Sequence, residues 1–233
     1  MGNAIVCLTR GYPHSIGYDQ LIKRNDAIYK IFGNKYDVVI FHEGNINERH
    51  QRYIKASTPL NFIFKDISKI WSGGYEGMCR FQSVQLFEQC KEYDYIMRID
   101  EDCVLERLDV DPFENMGDNV YAYSVYWGES HSETNATLPG AISKLTKVPV
   151  EEFYNNKFPY TNVGVAKVSF FTTDPMYSIL YILANSQSQR TNRWGDLPLH
   201  GSLLQIYAKD KVMQIKGLIY HHGTHNVTIS NVD

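Results

Sequence analysis

The 233-residue chain is long enough to bury one sizeable α/β core, with two small domains as the alternative. Its 23 Lys and Arg against 26 Asp and Glu leave a net charge of −3, without the basic excess a nucleic-acid partner needs. No apolar run reaches the roughly 18 residues of a membrane span, and the four cysteines, Cys7, Cys79, Cys90 and Cys103, show neither a C-x-x-C pair nor zinc spacing.

Residues 4–9 (A-I-V-C-L-T) form a continuous apolar run, read as the central strand of a sheet covered on both faces. Arg10-Gly11-Tyr12-Pro13 breaks it. Helical spacing follows over residues 16–32, with Ile16, Leu21, Ile28 and Ile31 as the inner face and Gly33-Asn34 as the stop. A strand over 36–41, a polar helix near 48–55 and a strand over 61–64 continue the alternation, which argues for a largely parallel sheet. Gly73-Gly74 opens a helix over about 75–92, with Met78, Phe81, Gln85 and Cys90 along one side. This helix leads to a strand over 95–99 that runs into Asp100-Glu101-Asp102.

Further on, residues 120–127 alternate like a strand. Residues 129–152 hold a Leu-Pro-Gly break and read as loop plus a short helix near 141–147. A strand is expected over 162–171, a helix over 175–185, a polar loop over 186–192, a helix over 197–208 and a last strand over 212–215. The organisation is that of a Rossmann-like α/β unit spanning residues 1–233, with residues 1–102 as a nucleotide-binding half. Cys7 and Cys79 read as small buried hydrophobes, so no oxidising compartment is required. Seventeen Tyr and three Trp are flat amphipathic side chains that suit a sugar site or a core.

The chemistry concentrates after residue 99. An extended backbone places residues i and i+2 on the same side, so Asp100 and Asp102 converge on one point while Glu101 faces away. At a strand's carboxyl end such a pair holds a hard or borderline cation, Mg²⁺ or Mn²⁺; a solvated acidic turn is the alternative. Tyr220-His221-His222 and His225 close the chain with three imidazoles.

These stretches resemble the fungal α-1,2-mannosyltransferases of the Kre2/Mnt1 type, retaining glycosyltransferases of the GT-A fold. Gly74 to Phe81 (G-Y-E-G-M-C-R-F) is similar to the family's Y-x-x-M-C-R-F, and Tyr93 to Asp102 to its Y-D-Y-Y-W-R-V-E-P-D. Arg193 to His200 (R-W-G-D-L-P-L-H) is similar to R-W-G-D-A-P-V-H, and Tyr220 to His222 to a Y-x-H. The resemblance implies a mostly parallel sheet flanked by helices and a nucleotide-sugar donor, GDP-mannose before other GDP- or UDP-sugars. A glycan or glycoprotein hydroxyl is the acceptor and Mn²⁺ the cofactor, with Mg²⁺ as the alternative. It places Asp100 and Asp102 at the metal and diphosphate, with His222 as the second protein ligand and His221 and His225 as competitors. Thr9, Arg10, Tyr75, Arg80, Asn162 and Trp194, with Asp100, fall to the nucleotide sugar. Asp196 faces donor sugar and acceptor as the catalytic carboxylate, or caps the helix that follows.

The family's N-F-E-I segment carries a proposed nucleophilic glutamate, whereas this chain has Asn162-Val163-Gly164-Val165. Without that carboxylate, retention requires front-face departure and attack, or the stereochemistry inverts with Asp196 as base. A catalytically inactive sugar-binding module is the rival reading. The first strand begins almost at the N-terminus, leaving no room for a signal peptide, so the expected setting is cytoplasmic, with the Golgi lumen if the chain is a trimmed domain of an anchored enzyme. In the cytoplasm the sequons at Asn135 and Asn226 are chance matches.

Overall fold

β1 (Gly2–Thr9), α1 (Asp19–Phe32), β2 (Asp37–His42), α2 (Glu48–Ser57) and β3 (Asn61–Asp66) alternate as the apolar pattern predicts. α3 (Gly74–Arg80) passes through a π-helical turn, Phe81–Gln85, into α4 (Leu86–Glu88) and then β4 (Tyr93–Ile99). Next come β5 (Cys103–Arg107), β6 (Tyr121–Tyr123), β7 (Tyr126–Gly128), α5 (Ser132–Thr146), β8 (Lys157–Pro159) and β9 (Val163–Lys167). The chain ends in α6 (Val168–Phe171), α7 (Met176–Ala184), α8 (Gln187–Thr191), α9 (Asp196–Tyr207), β10 (Val212–Gln214), β11 (Ile219–His222) and β12 (Val227–Ser230). The computed structural model describes residues 2–231; residues 1, 232 and 233 lie outside the described residues.

Seven strands form the main sheet in the order β10-β6-β9-β4-β1-β2-β3. Its β4-β1-β2-β3 half is parallel throughout, and β10 pairs parallel with β6, while β9 runs antiparallel to both β4 and β6. Ala4, Ile5, Val6 and Cys7 of β1 are buried because helices cover both faces, which is why the segment reads as unbroken apolar sequence rather than as an alternation. Each such aliphatic residue contributes about 1.5–3 kcal/mol by burial. The fold is thus α/β with a mostly parallel central sheet flanked by helices.

Several local expectations need correction. Ile16 is exposed rather than internal, because residues 15–18 form a separate 3₁₀ turn that buries Tyr18 in its place. α5 spans Ser132–Thr146 and passes through Pro139, where a loop and short helix were expected. Burial of Thr134, Leu138, Pro139 and Ile142 on one face offsets the hydrogen bond that proline removes. The alternating stretch at 120–127 splits between sheets, β6 joining the main one and β7 pairing with β8. Strand 162–171 is shorter, ending at Lys167 where α6 begins, and the expected loop at 186–192 contains α8, whose cap is the Ser186 side chain accepting from Gln189 N. β5, β11 and β12 form a second, antiparallel sheet that periodicity did not reveal in full.

Candidate active site

The carboxyl ends of β1 and β4 open into a cavity of about 470 Å³, where ligands sit in α/β sheets of this kind. Its floor is fixed from below by Arg24 of α1, a fully buried arginine that donates from Nε to the Ile99 carbonyl at 2.9 Å and from Nη2 to the Val6 carbonyl at 3.3 Å. The backbone just before the acidic turn is thereby held to β1. Past Ile99 the chain turns, with Cys103 N donating to the Asp100 carbonyl, so the three acids are not one extended run and take three separate sets of partners.

Asp100 is engaged by Arg98, whose Nε and Nη2 donate to its two oxygens at 2.6 and 2.9 Å. The remaining arm of Arg98, Nη1, donates to Asp196 Oδ2 at 2.5 Å, so one guanidinium bridges two buried carboxylates. Burial disfavours the charged form of both. Asp100 is pushed up, with Arg98 offsetting only part of the burial effect, whereas Arg98 holds Asp196 below the usual carboxylate range. Asp196 is the first residue of α9 and makes no cap; Gly195 holds the N-cap position. Its carboxylate pairs with Arg98 instead of capping the helix.

Glu101 faces β1, accepting from Thr9 Oγ1 at 2.7 Å and from the Tyr12 hydroxyl at 2.8 Å. Asp102 faces the C-terminal strands. Its Oδ2 accepts from Thr224 N at 2.9 Å and from Thr224 Oγ1, and lies 3.4 Å from His222 Nε2. Burial works against its charge, but the hydrogen bonds from His222 and Thr224 prevail and hold it well below the usual carboxylate range. Strand alternation selects among the histidines: His222 pairs with Cys103 in the second sheet and is buried, while His221 takes the opposite side. His225 is exposed, its ring 4.7 Å from that of His222. Behind His222, Nδ1 lies 3.2 Å from both the Tyr160 hydroxyl and Asn162 Nδ2. The Asn162 amide N–H can only donate, so Nδ1 is the acceptor and Nε2 carries the proton toward Asp102; a metal bound at Nε2 would take that proton's place.

Ligand atoms of Asp102, Cys103 and His222 all fall within 4.8 Å of one another. Burial drives the Cys103 thiol far up, so it stays protonated and leaves one carboxylate and one imidazole as the effective donor set. Of the residues singled out from sequence, Arg10, Asp100, Asp102 and His222 line the cavity. Thr9 reaches it through Glu101, Asp196 through Arg98, and Asn162 through His222. Three others are not brought to its wall. Tyr75 is exposed, with Arg193 stacked over its ring at 4.6 Å; Arg80 leaves its buried Nε without a partner; Trp194 is in the core, its Nε1 donating to Thr137 at 2.9 Å. Sequence reasoning missed Tyr12, Gln82, Glu101 and Thr224 as wall residues, and passed over Arg98 although it stood inside a matched motif.

At position 164 the structure explains why no side chain is present. A Cβ there would lie 2.9 Å from the Ala122 carbonyl oxygen and 2.9 Å from the Tyr121 hydroxyl.

The arrangement defines a class first. The fold is that of GT-A-like glycosyltransferases: core-mannan synthase A (CmsA/Ktr4) from Aspergillus fumigatus, in its Mn/GDP form, superposes with a TM-score of 0.81 over 95% of this chain and 74% of that one, at 16% identity. The mannosyltransferase Ktr4p from S. cerevisiae superposes at 0.78 over 94% and 70%, also at 16% identity. In sequence, the chain is 27% identical over 198 residues to O-glycoside alpha-1,2-mannosyltransferase omh1 of Schizosaccharomyces pombe, covering 76% of this chain and 49% of that protein. It is likewise 27% identical over 187 residues to the probable mannosyltransferase MNT3 of Candida albicans, covering 72% and 49%. No family model matches. The chain spans about half the length of the curated relatives it matches, which are fungal mannosyltransferases by name, and it shares its fold with solved mannosyltransferases. Among the described residues no helix is long and apolar enough to cross a membrane.

Proposed function

We propose that the chain is a metal-dependent glycosyltransferase that moves mannose from GDP-mannose to a glycan hydroxyl. The observation that carries this reading is the meeting of Asp102, in the turn between β4 and β5, with His222 of β11, at 3.4 Å on the wall of a cavity at the carboxyl ends of β1 and β4. One carboxylate and one imidazole suit Mn²⁺, or Mg²⁺ as the alternative, and leave positions for diphosphate oxygens. When bound, the ion would stabilise charge on the departing diphosphate. Arg10, exposed at the end of β1, supplies a guanidinium to the same anion.

Asp196 carries the remaining chemistry. Held charged by Arg98, it steadies the developing positive charge on the sugar or orients the acceptor in a retaining reaction, and takes the acceptor's proton in an inverting one. Retention is favoured because the S. pombe relative is by name an α-1,2-mannosyltransferase and GDP-mannose is itself an α-glycoside. Covalent double displacement is not, since Gly164 offers no nucleophile. Gly164 also favours a second reading, an inactive nucleotide-sugar-binding module. Release of GDP from GDP-mannose with Mn²⁺ and a mannoside acceptor tests the first; no release from any GDP- or UDP-sugar with any acceptor supports the second. The four buried, unpaired cysteines fit a cytoplasmic setting; a Golgi-lumenal domain would carry glycan at the exposed Asn226.

A further inference from the structure

We propose that Gln82 recognises a hydroxyl of the transferred sugar, an assignment that rests on the glycosyltransferase reading above. Gln82 sits in the π turn Phe81–Gln85 between α3 and α4. Such a turn widens the helix by one residue, re-aims the side chains it carries, and recurs at functional sites. Its support comes from neighbours of Gln82: Ser83 Oγ donates to the Cys79 carbonyl at 2.6 Å, and His200 Nε2 lies 2.9 Å from the Ser83 carbonyl. None of these bonds involves the Gln82 amide.

Gln82 is only 3% exposed, and its Oε1 is buried without a hydrogen-bond partner. Buried polar atoms are nearly always paired, and a position that required volume alone would be filled by Leu or Met at no polar cost. The side chain forms part of the wall of the main cavity, with Arg98 and Asp100, and of a smaller cavity of about 20 Å³ shared with Arg98, Thr161 and Gly164. An amide oxygen only accepts hydrogen bonds. Diphosphate oxygens offer it no proton, so within a nucleotide sugar its partner is a hydroxyl or a base N–H. Arg98, which shares both walls with Gln82, holds Asp196, the carboxylate assigned to the reacting sugar. Arg10, taken above by the diphosphate, and Tyr12 stand at the end of β1, so the hexose is placed on the Arg98 side. This neighbourhood belongs to the hexose. The competing partner is a single buried water, for which the small cavity has room.

The test uses the full chain with Mn²⁺ and calorimetric affinities for GDP-mannose and for GDP, paired with the ligand-free thermal midpoint. Gln82→Met keeps the volume and removes the amide. The expected result is a midpoint unchanged or raised, GDP affinity within about twofold of wild type, and GDP-mannose affinity lowered about tenfold, the scale of one lost hydrogen bond. Gln82→Glu, which keeps an acceptor oxygen at the same reach, retains most of the preference for GDP-mannose over GDP. A Gln82→Met protein that loses both ligands equally, loses neither, or melts several degrees lower overturns the assignment and leaves Oε1 to the buried water or to the fold. A wild-type chain that binds neither GDP-mannose nor UDP-glucose with Mn²⁺ overturns the donor reading itself, and the Gln82 assignment with it.

Discussion

The two sides of the acidic turn after β4 are built on opposite plans. On one side, Asp100 and Asp196 are both paired to Arg98, so one cation meets two carboxylates and part of their charge is balanced inside the protein before any ligand arrives. On the other, Asp102 and His222 stand 3.4 Å apart and are held from behind by Thr224, Tyr160 and Asn162. Charge of this second kind is oriented without being neutralised, which is the arrangement that receives a cation. Residues of both sides are tied to the fold, the first through Arg98 and the second through Thr224, Tyr160 and Asn162, but only the second leaves charge facing a ligand.

The largest effect is expected on the open side. Asp102→Asn and His222→Ala should each lower Mn²⁺-dependent turnover by about 10³-fold or more, since a lost ligand forfeits several kcal/mol of transition-state stabilisation. The thermal midpoint should stay near wild type in Asp102→Asn, whose side chain can still accept from Thr224, and fall in His222→Ala, which leaves Tyr160 and Asn162 without their buried partner. Titration of Mn²⁺ in the presence of GDP checks the assignment: wild-type metal affinity in His222→Ala would move the ligand to His225, whose ring lies 4.7 Å from that of His222.

On the balanced side, Asp196→Asn should lower kcat by about 10²-fold, the scale of an acid–base group, with GDP affinity largely kept. Because Arg98 retains Asp100, the variant should lose about 1–3 kcal/mol of stability rather than the 3–5 of a fully orphaned buried charge. Denaturant unfolding beside single-turnover kinetics separates the two losses. Unchanged turnover would reduce Asp196 to a counter-ion for Arg98.

Gly164→Glu asks whether a nucleophile can be restored next to that balanced pair. It should fail. The new Cβ meets a backbone carbonyl and the Tyr121 ring rather than a flexible side-chain end, so β9 and β6 must separate. Overpacking of this kind costs about 1–3 kcal/mol, or about 2–4 °C of midpoint per kcal/mol for a chain of this size. Mass spectrometry after incubation with a slow fluorinated donor should show no glycosyl adduct in either the variant or the wild type.

The same contrast marks what could be read from sequence. The β1 to β4 half was legible because its central strands β1 and β2 are buried on both faces and its helices carry one apolar face, so burial is written into the residues themselves. β5 and β12 are short, and only their pairing with β11 makes them strands. That pairing also chooses His222 over His221, a decision of register that no local pattern contains. Motif matching pointed to Asp102 and His222, which the fold brings to the cavity wall, to Asp196, which reaches it only through Arg98, and to Trp194, which the fold buries in the core. Gln82 was unreadable for another reason: a helical wheel assumes uniform winding, and the π turn breaks it at that residue.

The smallest effect expected concerns Thr224, which no motif pointed to. Its backbone N–H and its hydroxyl both donate to Asp102 Oδ2, and the chain is further tied here by Gly223 N donating to the Asp102 carbonyl at 2.9 Å. Committing Oδ2 to these donors fixes the carboxylate plane and turns Oδ1 toward other partners. Thr224→Val keeps the shape and the backbone bond while removing the hydroxyl, so Asp102 is still charged but less firmly held. Metal affinity should fall about tenfold, the lower end of what groups supporting a metal ligand contribute, with kcat at saturating Mn²⁺ nearly restored. A drop in kcat that excess Mn²⁺ cannot recover would instead place Thr224 against the donor itself. Thr224→Ser, which returns the hydroxyl without the methyl, should bring the affinity back in the first case.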